Sequence, residues 1–166
     1  MNLTFRKIKS EDNKQLKEII ISTLYELGIT GPGCTLEDPE LEDFYSNYKN
    51  NNGCYCVLEE ENSKQIFGGG GYIKLKGTKT EDGICEIQKV YFLKEARGLG
   101  LGRKLISCLL ERAKKDGYKE AYLETHDNMK SATKLYERLG FKYLKKPKGN
   151  TGHYARTVCM NLPLNS

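Results

Sequence analysis

Three glycines at alternating positions, Gly98, Gly100 and Gly102, constrain the fold of this chain more than any other feature. An apolar run over 85–92, with the length of a strand, precedes them, and a helical pattern begins near Arg103. Glycine lets backbone N–H groups approach a ligand closely, and a helix start adds unpaired N–H groups and the positive end of the helix dipole. The sequence therefore predicts a phosphate-binding turn between a strand and a helix.

The spacing of these glycines argues against two common nucleotide sites. A P-loop has four residues between its glycines and then Gly-Lys-Ser/Thr, whereas Gly102 is followed by Arg103-Lys104-Leu105. A dinucleotide-binding fold places G-x-G-x-x-G after its first strand, whereas this G-x-G-x-G comes after about four strand-like segments. The pattern therefore favours a phosphate ligand of another kind.

The composition is that of a folded protein of ordinary size. The chain has 166 residues, of which 38% are hydrophobic and 30% charged, so we expect a single domain over 1–166. The net charge of +5 suits an anionic ligand but is too small and dispersed to indicate nucleic acid. No run reaches the roughly 18 apolar residues of a membrane span, and 1–21 carries acidic residues where a signal peptide is apolar. We therefore expect a cytoplasmic protein with no membrane or nucleic-acid partner.

The cysteines point to packing rather than to chemistry. None of the six forms a C-x-x-C pair, which argues against structural zinc and against a disulfide framework. Free thiols behave as small hydrophobic groups, and Cys85 and Cys108 fall within apolar patterns. We therefore expect buried thiols and no metal site.

Hydrophobic periodicity and turn residues predict alternating strands and helices along the chain. Ser10 is the expected N-cap of the first helix, and Asp38-Pro39 opens the second. Strands are predicted over 3–7, 54–60, 65–76, 85–92, 120–125, 141–144 and 153–162, and helices over 10–28, from 38, 103–117 and 132–139. The run Gly68–Gly71 weakens its strand, so it indicates either a bulge, which we favour, or close approach by a substrate.

Two motifs in the same order resemble those of the GNAT superfamily of N-acetyltransferases. The pattern R-x-x-G-x-G over 97–102 resembles the acyl-CoA pyrophosphate loop of that superfamily. The segment A-T-K-L-Y-E-R-L-G-F over 132–141 resembles its second signature, A-x-x-L-Y-E-x-x-G-F. The predicted element order also matches, so the resemblance covers nearly the whole chain.

The resemblance implies an α/β fold with a central mixed, mostly antiparallel sheet of about six to seven strands and four flanking helices. In this family the fourth and fifth strands splay apart and open a slot for the pantetheine arm. The residues implied to bind acetyl-CoA through their backbone are Val90, Tyr91 and Phe92 in the slot, with Arg97, Gly98, Leu99, Gly100, Leu101, Gly102 and Arg103 at the pyrophosphate.

The resemblance also assigns two catalytic side chains. Glu86 is the expected general base, receiving a proton from the incoming ammonium through a water, and Tyr136 is the expected general acid for the departing CoA sulfur. Strand alternation places Glu86, Gln88 and Val90 on one face. The alternatives are a strand glutamate that pairs with a lysine or faces solvent, and a tyrosine that merely packs.

One position departs from the family pattern. Many members carry an asparagine that binds CoA three residues before the alanine of the second signature, where this chain has Met129. Asn128 stands one place earlier and either binds CoA or caps the helix. The two histidines, His126 and His153, are candidates for acceptor binding or proton relay but are more simply polar loop or core residues.

Together these patterns predict an enzyme that moves an acetyl group from acetyl-CoA directly to a primary amine, without a metal. The acceptor is a small molecule or a peptide, and the enzyme is a monomer or homodimer. Two alternatives stay open, a catalytically silent acyl-CoA-binding module and the same fold with a longer acyl donor.

Overall fold

The computed structural model describes residues 1–154 and 157–165. The strands described are β1 (Leu3–Lys7), β2 (Cys54–Glu60), β3 (Ile66–Lys74), β4 (Ile84–Phe92), β5 (Glu120–His126), β6 (Lys142–Leu144) and β7 (Thr157–Pro163). The α-helices are α1 (Asn13–Glu26), α2 (Phe44–Asn50), α3 (Leu101–Lys115) and α4 (Lys130–Arg138). The predicted α/β architecture is therefore confirmed.

The strands form one mixed sheet in the order β1-β2-β3-β4-β5-β7-β6. The pairings are antiparallel except for β4 with β5, which run parallel because α3 crosses over between them. Side chains of α1 and α2 pack on one face of the sheet, and those of α3 and α4 pack on the other. Two apolar layers thus cover the sheet, and both faces of its centre are buried.

Strands β4 and β5 separate halfway along their length. Their register pairs Ile84–Ile87 with Glu120–Leu123 and then stops, although β4 continues to Phe92 and β5 to His126. The gap confirms the predicted splay, and it opens between the carboxyl ends of two parallel strands.

A bulge in β4 begins at the same point. Gly71 pairs with Gln88 and Gly69 with Tyr91, so β4 carries one residue more than β3 between these two pairs. Lys89 holds a φ of 55°, which non-glycine residues rarely adopt. The Lys89 carbonyl accepts a hydrogen bond of 2.7 Å from the hydroxyl of Tyr55. This carbonyl therefore keeps a hydrogen-bond partner at the bulge.

The glycine run of β3 makes room for that tyrosine. A Cβ on Gly69 or Gly71 would lie within 2.8 Å of the Tyr55 ring, and one on Gly70 would lie 2.9 Å from Val90. The run therefore lies opposite a bulge whose extra residue belongs to β4, and what approaches the glycine backbone is a side chain of the same protein.

The bulge corrects the predicted facing of β4. Glu86 and Gln88 lie on the α1/α2 face, where the Tyr48 hydroxyl donates to Gln88. Val90 packs instead with the α3/α4 cluster, because the extra residue shifts the alternation by one position. The prediction that Glu86, Gln88 and Val90 share one face was therefore wrong.

Several predicted element ends also move. Ser10 begins a 3-10 turn over Ser10–Asp12 rather than capping α1, and the 3-10 turn Pro39–Glu42 precedes α2, whose N-cap is Asp43. Helix α3 begins at Leu101, two residues before the predicted start. The last predicted strand, 153–162, is observed as β7 over Thr157–Pro163; residues 153 and 154 are not in a strand, and 155 and 156 lie outside the described residues.

All six cysteines are free thiols, four of them buried. Cys108 is exposed, contrary to prediction, because it lies on the solvent side of α3.

Candidate functional site

The glycine turn leads directly into α3. Gly98 and Gly100 have φ values of 74° and 75°, which other residues adopt only under strain, and a Cβ on either would meet no protein atom within 4 Å. Gly100 is the N-cap of α3, and no side chain caps the helix. The first N–H groups of α3 therefore face outward beside an open surface, as a phosphate site requires.

Gly102 has a different reason to lack a side chain. Its backbone is helical, and a Cβ there would lie 3.3 Å from Leu135 of α4 and 3.7 Å from Phe92 of β4. The glycine therefore lets the start of α3 pack closely against both elements.

The two arginines that flank the turn occupy different environments. Arg97 is bound to the Glu26 carboxylate through both terminal nitrogens, at 2.8 and 3.2 Å, and its Nε donates to the Phe92 carbonyl at 2.8 Å. This fastens the turn to the end of α1. Arg103 is exposed, as is Leu99.

A cavity of about 440 Å³ lies against this turn, a volume typical of small-molecule sites. It is bounded by the splayed end of β4, the turn, the start of α4 and the end of α1. The predicted residues that line it are Val90, Tyr91, Phe92, Arg97, Gly98, Gly100, Leu101, Gly102, Asn128 and Tyr136. Leu99 and Arg103 do not line it.

Tyr136 is 6% exposed and contributes to the wall formed by α4. Its ring packs edge-on against Phe141, with centroids 5.7 Å apart. Burial raises the pKa of the phenol, so the hydroxyl stays protonated at neutral pH. Among the described residues this hydroxyl makes no hydrogen bond to the protein, so it is available to a ligand.

Asn128 does not cap α4. The N-cap is Met129, and no side chain caps that helix. The Asn128 amide instead donates to the carbonyl of Leu27, at the end of α1, at 3.0 Å. The interpretation of Asn128 as a helix cap was therefore wrong, and its side chain lies at the cavity wall.

Glu86 is 5% exposed, on the opposite face of the sheet from Tyr136. Its carboxylate accepts a hydrogen bond of 2.7 Å from Gln88, which in turn accepts one from Tyr48. Burial raises the pKa of Glu86 to about 7. Glu86 does not line the large cavity, so any proton transfer from an amine to it requires an intermediary.

Four charged side chains form a cluster near Glu86, and His153 is the one of them that the sequence singled out. Lys89 is bound to Asp38 at 2.5 Å, and Asp38 is bound to His153 at 2.8 Å. His153 also faces Glu124, with Nδ1 3.5 Å from the carboxylate. Hydrogen bonds that the ring donates to Asp38 and Glu124 raise the pKa of His153 to about 9, so the ring is charged at neutral pH.

Asp38 and Glu124 stay ionised. Burial raises the pKa of Glu124, but hydrogen bonds from His153, Thr151 and Tyr122 outweigh it and hold the pKa below its ordinary value. Asp38 behaves likewise, through His153 and Lys89. With these two ion pairs balanced, Glu86 is the group of the cluster that changes charge near neutral pH.

A second, smaller cavity of about 50 Å³ lies beside this cluster. Glu124, His126 and His153 contribute to its wall, together with Thr125 and the loop residues Gly33, Cys34 and Thr35. Tyr91 and Met129 line both cavities. The two cavities are therefore neighbours, and the splayed ends of β4 and β5 lie between them.

Within the described ranges, no group of three or more His, Cys, Asp or Glu side chains is arranged to hold a metal ion. No helix in that part of the chain is long and apolar enough to cross a membrane.

Comparison with known proteins identifies the family. Residues 21–141 match the model of the acetyltransferase (GNAT) family. A curated relative, the uncharacterized N-acetyltransferase YjgM of Escherichia coli K12, is 39% identical over 149 residues, which cover 89% of this chain and 87% of the relative.

Solved structures share the fold. A GNAT-family acetyltransferase from Staphylococcus aureus Mu50 superposes with a TM-score of 0.84 at 23% identity, covering 98% of this chain and 99% of that one. A phosphinothricin acetyltransferase from Sinorhizobium meliloti, solved in complex with acetyl-CoA, gives 0.76 at 22% identity, covering 99% and 89%. The family model and the Escherichia coli relative, with this shared fold, show that the chain belongs to the acetyltransferase (GNAT) family.

Proposed function

We propose that this protein transfers an acetyl group from acetyl-CoA directly to a primary amine. The observation that carries the proposal is the large cavity, which has the unpaired N–H groups of the glycine turn at one end and the Tyr136 hydroxyl in its wall. The acetyl-CoA complex of the Sinorhizobium meliloti neighbour supports the choice of donor.

The residues around the large cavity fit acetyl-CoA. The outward N–H groups from Gly98 to Arg103 suit the pyrophosphate, and the positive φ of the glycines keeps side chains out of that space. The backbone of Val90, Tyr91 and Phe92 lies on the open side of β4, where the pantetheine arm would pair like an added strand. The Asn128 amide would contact the same arm.

Two side chains then serve the transfer. The amine nitrogen attacks the thioester carbonyl carbon, the carbon–sulfur bond breaks, and the sulfur leaves. Tyr136 donates its phenolic proton to that sulfur, and Glu86, which lines neither cavity, takes the proton lost by the amine through intervening water. A backbone N–H at the end of β4, that of Phe92, polarises the carbonyl.

Glu86 is a better base than Glu124, although Glu124 is nearer the small cavity. Glu124 accepts hydrogen bonds from Tyr122 at 2.6 Å and from Thr151 at 2.5 Å and faces the charged His153, so its lone pairs are occupied. Glu86, with a pKa of about 7, accepts and releases a proton near neutral pH.

The acceptor is a small-molecule or peptide amine that enters through the small cavity, between the loops around Cys34 and His153. We expect the reaction to take place in the cytoplasm, with a monomer or homodimer as the active species.

A transfer assay tests this function. Release of CoA thiol is followed with a panel of amines, using acetyl-, propionyl- and succinyl-CoA as donors. We expect amine-dependent release that is fastest with acetyl-CoA. Faster release with a longer donor would favour the longer-acyl alternative. Tight binding of acetyl-CoA without release for any amine would favour the silent acyl-CoA-binding module.

A further inference from the structure

The hydroxyl of Thr125 is buried without a partner. Thr125 lies on β5 and is 9% exposed, and its Oγ1 makes no hydrogen bond to any residue the structure describes. Buried polar groups are nearly always paired, because leaving one unpaired costs its desolvation. The hydroxyl is therefore a candidate for contact with a ligand.

Another buried threonine at the cavities has its hydrogen bond within the protein. Thr23, which lines the large cavity, donates to the carbonyl of Ile19 at 2.8 Å. Thr125 thus differs from Thr23 in lacking a hydrogen bond, although both side chains are buried.

The fold places Thr125 at the open edge of the splay. The pairing of β5 with β4 ends at Leu123, before Thr125 is reached. On the other side of β5, Thr125 pairs with Val158 of β7. Thr125 lies two residues beyond Leu123, so both side chains lie on the same face of the sheet. That face packs against Tyr136. The hydroxyl is therefore on the same side of the sheet as the proposed acid.

Thr125 also lies where the two cavities meet. It lines the small cavity together with Tyr91 and Met129, and those two residues line the large cavity as well. An acyl group that passes from a donor in one cavity to an amine in the other must cross this junction.

We propose that the Thr125 hydroxyl donates a hydrogen bond to the carbonyl oxygen of the bound acyl thioester. The inference rests on the proposed function, since it concerns the same donor. The carbonyl oxygen can only accept, and its negative charge grows as the amine attacks, so a fixed donor there favours the transfer. Thr125 approaches from β5 and the Phe92 N–H from β4, so the oxygen would be held from both walls.

Matched variants test the proposal. Thr125→Val keeps the shape of the side chain and removes the hydroxyl, whereas Thr125→Ser keeps the hydroxyl. Thr133→Val is the control, because that hydroxyl is bonded to the Met129 carbonyl within α4. Thermal unfolding checks that each variant folds, and Thr125→Ala replaces the valine variant if that one does not.

Infrared difference spectroscopy with carbonyl-labelled acetyl-CoA reports the bond directly. In the wild type the bound carbonyl should absorb at a lower frequency than in solution, and Thr125→Val should move it back towards the free value. Turnover with an amine should fall at least about tenfold in Thr125→Val, with CoA affinity unchanged, while Thr125→Ser and Thr133→Val stay near wild type.

An unchanged carbonyl frequency in Thr125→Val would overturn the proposal, as would turnover within twofold of wild type. The spectroscopic readout does not need an acceptor. If no amine releases thiol from wild type, the proposed function fails, and the frequency shift still decides the role of Thr125.

Discussion

Replacing Glu86 by Gln should change activity and stability in opposite directions. Burial raises the pKa of Glu86 from 4.5 to about 7 in the folded protein. The carboxyl is about one tenth ionised at pH 6 and about nine tenths at pH 8, so a rate that needs the base should rise about tenfold over this range. Glu86→Gln should abolish that rise and lower turnover by about 10²-fold or more.

The same shift sets the effect on stability. Because the folded pKa exceeds the unfolded one, ionisation destabilises the protein as pH rises from 4.5 through 7. A shift of about 2.5 pKa units corresponds to about 3 kcal/mol. The glutamine of Glu86→Gln cannot ionise. As pH rises from 4 to 8, the fall in the free energy of unfolding should therefore be about 3 kcal/mol smaller in this variant than in wild type.

Urea unfolding at pH 4 to 8 and the pH dependence of kcat/KM measure the two effects. Glu81→Gln is the matched control, because Glu81 is exposed in the 3-10 turn Thr80–Asp82. A variant that retains the rise in rate between pH 6 and pH 8 would refute Glu86 as the base. If the stability of Glu86→Gln depends on pH as that of wild type does, the raised pKa of the buried Glu86 carboxyl is refuted.

Three further predictions concern the acid, the turn and the charged cluster. Tyr136→Phe should lower turnover by about 10²-fold while acetyl-CoA affinity, measured by calorimetry, changes less than twofold, because only the proton donor is lost; a large loss of affinity would indicate a packing role. Gly100→Ala and Gly117→Ala both place a side chain at positive φ with no protein atom within 4 Å. Each should therefore lower the free energy of unfolding in urea by about 1–2 kcal/mol. Only Gly100→Ala should weaken acetyl-CoA binding. His153→Gln should lower the melting temperature at pH 7, because the charged ring is bonded to Asp38, and the deficit should vanish as pH rises through about 9; a deficit independent of pH would contradict that ion pair.

The glycine turn and the Tyr136 helix could be predicted from the sequence because their determinants are local. The glycine turn is a run of seven residues, 97–103, and Tyr136 lies within a ten-residue motif. Positive φ at Gly98 and Gly100 and the helix start beside them follow from the residue types themselves. These features needed no knowledge of distant contacts.

The charged cluster near Glu86 could not be predicted, because distant residues build it. Asp38 and His153 are separated by 115 positions. The ion pair that fastens the glycine turn is equally distant, since Arg97 and Glu26 are 71 positions apart. The bulge at Lys89 inverts the facing of Val90, yet a single residue at positive φ leaves no trace in an alternating pattern. Likewise, the lack of a hydrogen bond at the Thr125 hydroxyl depends on its neighbours in the folded structure and cannot be read from the sequence.

Intact-protein mass spectrometry during turnover tests whether the acetyl group passes directly to the amine. Wild-type enzyme is quenched while it consumes acetyl-CoA and an amine, and both the protein and the amine are weighed. We expect the acetyl group on the amine and an unmodified protein at every time point. A protein that gains and then loses an acetyl group, most simply on Cys34 in the wall of the small cavity, would contradict direct transfer.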